Sequence, residues 1–221
     1  MLRVDLDRQI THLQEEVTLL ANVVDKAIYR SVEALKNRDL AESQAVVDGD
    51  DYIDQKRYDI EDLCIDLIAT QQPMAGDLRA VLAMLHIAVE LERMGDYAEG
   101  IAKISLLMGD EPPLKPLIDI PRMANKAGEM LRHSVDCLVE RDLAMAERVM
   151  DDDDEVDDLY DQVYRELLLF MIQDPRSIQR ATYLLWAAHD LERIADRATN
   201  IAERVMFLVT GQVRKEKRSK Y

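Results

Sequence analysis

Glu92 and Asp96 stand four residues apart in LERMGDYAEGIA (91–102), and Glu192 and Asp196 repeat that interval in LERIADRATNIA (191–202). On a helix, residues four apart lie one above the other, so each pair is a ladder of two carboxylates on one face. Asp50 with Asp54, in DGDDYID, and Asp153 with Asp157, in DDDDEVD, form ladders of the same kind. Like charges at this spacing destabilise a helix by about 0.2–0.5 kcal/mol per pair, so four such ladders call for positive charge to offset the repulsion. Oxygen donors without thiolates suit hard cations: iron, manganese, magnesium or calcium, with zinc also accommodated.

The elements that must hold these acids are helices. Six prolines and seven glycines leave long stretches free of breakers, and apolar periodicity runs at about 3–36, 39–71, 76–108, 119–140, 142–173 and 176–210. Met84, Ile87, Leu91, Met94, Ala98 and Ile101 recur at three- and four-residue steps, as do Leu184, Ala187, Leu191, Ile194, Ala198 and Ile201. Those are core stripes, and their methionines are packing material. The acids are rotated from the stripes by roughly 100–140°, which puts them at the edge of a helix seam and on the surface.

The chain is also duplicated. LKNRDLAESQAVVDGDDYID from Leu35 matches LVERDLAMAERVMDDDDEVD from Leu138 at an offset of 103, and the third helix of each unit repeats at an offset of 100. The turn before that helix is therefore three residues shorter in the second copy. The predicted fold is all-α: two tandem, pseudo-symmetric three-helix bundles at 1–108 and 119–213, a linker at 109–118 and a basic flexible tail at 214–221. Antiparallel helices bring residues level when they are equally far from their turn. Asp54 with Glu92, and Asp50 with Asp96, are both centred on Pro73; Asp157 with Glu192, and Asp153 with Asp196, are both centred between Asp174 and Pro175. Four carboxylates are expected to meet in each bundle, in register despite the shortened turn. His189 lies three residues before Glu192 on the same face and offers a nitrogen, where the other copy has Val89. In the acidic run Asp151–Asp154 only Asp153 is in register.

Composition narrows the function. A net charge of −16, from 44 acidic and 28 basic residues, argues against direct nucleic-acid binding. The basic VRKEKRSKY tail is the exception, either a solubilising end or a docking element for an acidic surface. Cys64 and Cys137 have no metal-ligand spacing and read as buried small hydrophobes. No apolar run of membrane-spanning length and no signal-peptide core occurs, so a cytoplasmic location is expected, peripheral to the membrane through partners only. No catalytic triad, P-loop or dinucleotide fingerprint is present, nor the ExxH motif of ferritin-like di-iron bundles. Two other readings of the acids are a carboxylate-bridged metal enzyme, phosphohydrolase or oxidase, and a metal storage protein.

The stretch QQPMAGDLRAVLAMLHIAVELERMGDYAEGIAK, the second-copy DLERIADRATNIAERV and the two acidic segments together resemble the PhoU family over nearly the full length. The resemblance implies a non-enzymatic cytosolic regulator of phosphate uptake and of the phosphate-starvation response, and a homodimer is expected. Its E/DxxxD motifs would bind multinuclear iron or zinc clusters, through Asp50, Asp54, Glu92 and Asp96 and through Asp153, Asp157, Glu192 and Asp196. The implied partners are the phosphate ABC transporter ATPase and a membrane sensor histidine kinase. Two positions depart from the family pattern: Arg197 stands where histidine is frequent, and Gly100 where asparagine is.

Overall fold

Each of the six periodic segments forms a helix. A computed structural model describes residues 2–212: α1 (Leu2–Asn37), α2 (Leu40–Gln71), α3 (Gly76–Met108), α4 (Asp119–Glu140), α5 (Leu143–Gln173) and α6 (Ile178–Thr210), with a 3-10 turn at Pro175–Ser177 leading into α6. The basic tail expected at 214–221 lies outside the described residues.

The repeated Arg-Asp-Leu triplets shape the first corner of each unit. Arg38 and Arg141 take left-handed backbone, with φ of 57° and 55°. The next N–H then folds back five residues along the chain, Asp39 to Ala34 O at 2.9 Å and Asp142 to Cys137 O at 3.2 Å, as a Schellman cap. The same aspartates cap the following helix. Asp39 Oδ1 accepts from Glu42 N at 2.9 Å, and Asp142 Oδ1 from Ala144 N at 2.8 Å and Met145 N at 3.1 Å. One triplet thus ends a helix, turns the chain and starts the next.

The second corners differ in the way the offsets require. Gln72–Ala75 joins α2 to α3 through left-handed Gln72. In the other copy Asp174 alone separates α5 from the 3-10 turn, where its carboxylate accepts from Arg176 N at 3.1 Å. The chain is a pair of tandem three-helix bundles, α1–α3 and α4–α6. They share one continuous core, because α3 packs along α6 and α1 along α4. The residues named above as core stripes are all buried, and Cys64 and Cys137 join them, their thiols pushed up to about 12 by burial. Among the described residues no helix is long and apolar enough to cross a membrane.

A salt bridge that the sequence does not announce ties the bundles together. Arg197 Nη1 donates to Glu90 Oε2 at 3.2 Å and Asn200 Nδ2 donates to the same oxygen at 3.1 Å, with both charged side chains largely buried. At the pseudo-equivalent position Asp190 faces Gly100, whose added Cβ would lie 2.9 Å from Asp190 Oδ2. Arg197 thus reaches across to the other bundle, and a side chain at position 100 would displace Asp190. Arg197→Ala should lower stability by about 1–3 kcal/mol, because Glu90 loses its Arg197 partner and keeps only Asn200 and the more distant Arg93. Urea unfolding should show that loss, and Arg197→Ala/Glu90→Ala should regain part of it.

Candidate metal centres

Along the α2–α3 seam the side chains of Ile53 and Asp50 pack directly over Gly95. A Cβ there would meet Ile53 at 2.9 and 3.0 Å and Asp50 Oδ1 at 3.4 Å. The second copy has Ala195 and Val156 at these positions, one methyl moved from one helix to the other. Gly95→Ala is therefore expected to destabilise by about 1–2 kcal/mol through overpacking, in spite of the better helix propensity of alanine. Adding Ile53→Val should recover most of the loss in a denaturant titration.

The close approach carries the acids with it. Asp50, Asp54 and Asp96 each present a carboxylate oxygen within 4.8 Å of the other two, and they form the one such group among the described residues. The Asp50 carboxyl is raised to about 7, by burial first and then by Glu99, Asp96 and Asp54, with Lys103 opposing. Asp96 is raised by burial, Asp54 and Glu99, and Glu92 by burial, Asp96 and Asp54. Glu92 thus shares the field of the cluster although its oxygens stand outside the close trio.

The α5–α6 seam holds Asp153, Asp157, Glu192 and Asp196 as electrostatic neighbours in a looser arrangement. Burial and the charges of Asp157, Asp196, Glu192 and Asp154 raise Asp153 to about 7. Glu192 also rises to about 7, by burial first and then Asp196. Here Asp196 is drawn aside, its Oδ2 accepting from Arg193 Nη1 at 2.8 Å. Arg93, the counterpart in the first copy, instead lies 3.8 Å from Glu90, which leaves Asp96 to Asp50 and Asp54. Glu192 Oε2 is buried without a hydrogen-bond partner, although His189 Nδ1 stands 3.4 Å away. Burial and Arg193 hold the His189 pKa below its ordinary value, so the imidazole is neutral near pH 7 and keeps a nitrogen lone pair.

Three oxygens crowded against mutual repulsion in one bundle, and a buried carboxylate oxygen lacking a donor in the other, fit a hard cation ligated by oxygen. Glu99 was not anticipated. It is the strongest charged neighbour of Asp50, one turn beyond Asp96, and is held by Lys103 at 2.5 Å. Its three-residue spacing from Asp96 was visible in the sequence, but Thr199 replaces it in the second copy, so comparing the copies hides it.

Fold and seams together define a class: a duplicated three-helix-bundle protein with acidic residues set along the second hairpin of each half. A family model described as the PhoU domain matches residues 5–105 and 120–205. The chain is 41% identical over 215 residues to a protein of Aquifex aeolicus described as a phosphate-specific transport system accessory protein PhoU homolog, covering 97% of each chain. A relative of the same description from Caulobacter vibrioides is 40% identical over 205 residues, covering 92% of this chain and 89% of the relative. The crystal structure of PhoU from Pseudomonas aeruginosa superposes with a TM-score of 0.89 at 30% identity, over 93% of this chain and 99% of that one. That of the phosphate transport system regulatory protein PhoU from Streptococcus pneumoniae gives 0.88 at 26% identity, over 96% and 100%. The chain belongs to the PhoU family. Its role is regulatory and non-enzymatic, in phosphate signalling.

Proposed function

We propose that the chain is a metal-binding adaptor that links the phosphate ABC transporter ATPase to a sensor histidine kinase and represses phosphate-starvation genes when phosphate is plentiful. The observation that carries the metal part is the trio Asp50, Asp54 and Asp96, three oxygens within 4.8 Å contributed by two helices. Family membership supports the regulatory part. Iron or zinc clusters at the two seams neutralise the carboxylates and order the acidic face, a structural role that leaves the helical surfaces to partners.

An adaptor transmits a signal only if its affinity differs between two states of the transporter, since equal affinity shifts no equilibrium. Deleting the gene should derepress a phosphate-responsive reporter in phosphate-rich medium, and the purified protein should recover the ATPase and the kinase cytoplasmic domain in a pull-down. Normal repression in the deletion strain with neither partner recovered would reject this function.

A further inference from the structure

The two seams descend from one duplication, yet they offer different donors. At the offset of 100 that relates α3 to α6, His189 corresponds to Val89 and Thr199 to Glu99; at the offset of 103 that relates α2 to α5, Tyr160 corresponds to Arg57. In the α2–α3 seam the close group of donors, among the described residues, is the carboxylates of Asp50, Asp54 and Asp96, and Glu99 adds its charge to theirs. The α5–α6 seam lacks that extra acid and has an imidazole instead.

The imidazole is held by the residue that replaced Arg57. The rings of His189 and Tyr160 stand 6.0 Å apart, tilted by 49°, so the two side chains meet across the α5–α6 hairpin. Nδ1 then lies 3.4 Å from Glu192 Oε2. That is longer than the roughly 2.7–3.2 Å of a good N–H···O bond, and the buried oxygen has no hydrogen-bond partner. The same separation fits the edge of a zinc tetrahedron: with Zn–N and Zn–O of about 2.0–2.2 Å, two ligands of one ion stand about 3.4 Å apart. The other acids differ in the same sense. Asp196 has one oxygen engaged by Arg193 Nη1 at 2.8 Å, whereas Arg93 turns to Glu90 and leaves Asp96 to its trio. A hard cation that takes six or more oxygens is served better by the first seam, and a four-coordinate ion that accepts imidazole by the second.

From these differences we infer that the two seams select different ions: zinc at α5–α6, with His189 Nδ1 and Glu192 among its ligands, and manganese or another hard cation at α2–α3, through carboxylates alone. The inference rests on the metal-binding reading and adds to it a nitrogen ligand and a selectivity. Zinc outranks manganese at most nitrogen and oxygen sites, so the selection lies in the ratio of the two affinities at each seam.

The test isolates the second seam in the full-length Asp54→Asn/Asp96→Asn protein and titrates it, metal-free, with zinc and separately with manganese in a calorimeter. Adding His189→Val, the residue of the other copy, should weaken zinc by about 10–100-fold and manganese by less than about threefold. The His189 side chain is 53% exposed, so the metal-free melting temperature should not change. In wild-type crystals equilibrated with both ions, anomalous data at the two absorption edges should give a higher zinc-to-manganese ratio at α5–α6 than at α2–α3, and His189→Val should abolish the difference. Equal losses for the two ions would make His189 a structural residue and overturn the inference, as would zinc binding that ignores the substitution or equal ratios at the two seams. Failure of the wild-type chain to bind either ion would instead sink the metal-binding reading itself.

Discussion

Asp54→Asn/Asp96→Asn will cost the protein most of the thermal stabilisation that cations give its first bundle. A ligand that binds only the folded state at a hundredfold excess over its Kd stabilises by about 2.7 kcal/mol, and a chain of this length gains about 2–4 °C per kcal/mol. Adding iron(II) without oxygen, or manganese, to metal-free wild type should therefore raise the melting temperature by roughly 5–10 °C per filled site. The double variant should lose the contribution of the α2–α3 seam and keep that of α5–α6. Metal-free, the same variant should melt at or above metal-free wild type, because two mutually repelling charges are gone. A variant that is less stable without metal and gains as much as wild type with it would show that these two aspartates are ordinary packing residues.

The second large effect concerns pH. Asp50, Asp153 and Glu192 are raised to about 7 by burial and by neighbouring carboxylates, against ordinary values near 4. Between those limits the folded chain binds more protons than the unfolded chain, so stability falls as pH rises. The stability that the three groups give the metal-free fold is therefore fully present below about pH 4 and lost as pH rises through about 7. Each is part-exposed, so after solvent screening the loss is on the order of 1 kcal/mol per group rather than the full shift. Asp50 and Asp153 sit in different bundles, so both seams contribute to the slope, together with Asp190, which burial raises to about 7 opposite Gly100. Denaturant titrations of the metal-free protein at pH 5.5 and pH 8 should show the decline, and saturating cation should reduce it to the share that Asp190 leaves. Cation binding near pH 6.5 should also release protons, visible as a dependence of the calorimetric heat on buffer ionisation enthalpy. Stability that rises over this window without metal would mean that these carboxyls are paired with cations of the chain.

Most of the architecture was legible because it is periodic. Stripes such as Leu91, Met94, Ala98 and Ile101 are one-dimensional records of burial, and proline and glycine spacing marked the helix ends to within a few residues. Levels across the hairpins followed from the constant rise of a helix, which is why Asp50, Asp54 and Asp96 could be brought together on paper. What stayed hidden depends on lateral packing. Nothing in a stripe says that α3 lies along α6, so the bridge from Arg197 to Glu90 and the apposition of Asp190 to Gly100 had no one-dimensional signature. The looseness of the second cluster was hidden for a related reason. Arg93 and Arg193 occupy equivalent positions, yet one turns toward Glu90 and the other takes Asp196, a choice set by local surroundings rather than by spacing. Arg38 and Arg141 were matched between the copies, but their left-handed backbone went unread because arginine is not a residue that announces it.

The most direct measurement of the account is anomalous diffraction from crystals grown metal-free and then soaked in manganese or iron(II), with data collected at that metal's absorption edge. Two groups of peaks should emerge, one against Asp50, Asp54 and Asp96 and the other against Asp153, Asp157, Glu192 and Asp196, with carboxylate oxygens at coordination distance. Crystals that take up metal elsewhere, or show these eight side chains solvated and without anomalous density at saturating concentration, would contradict it.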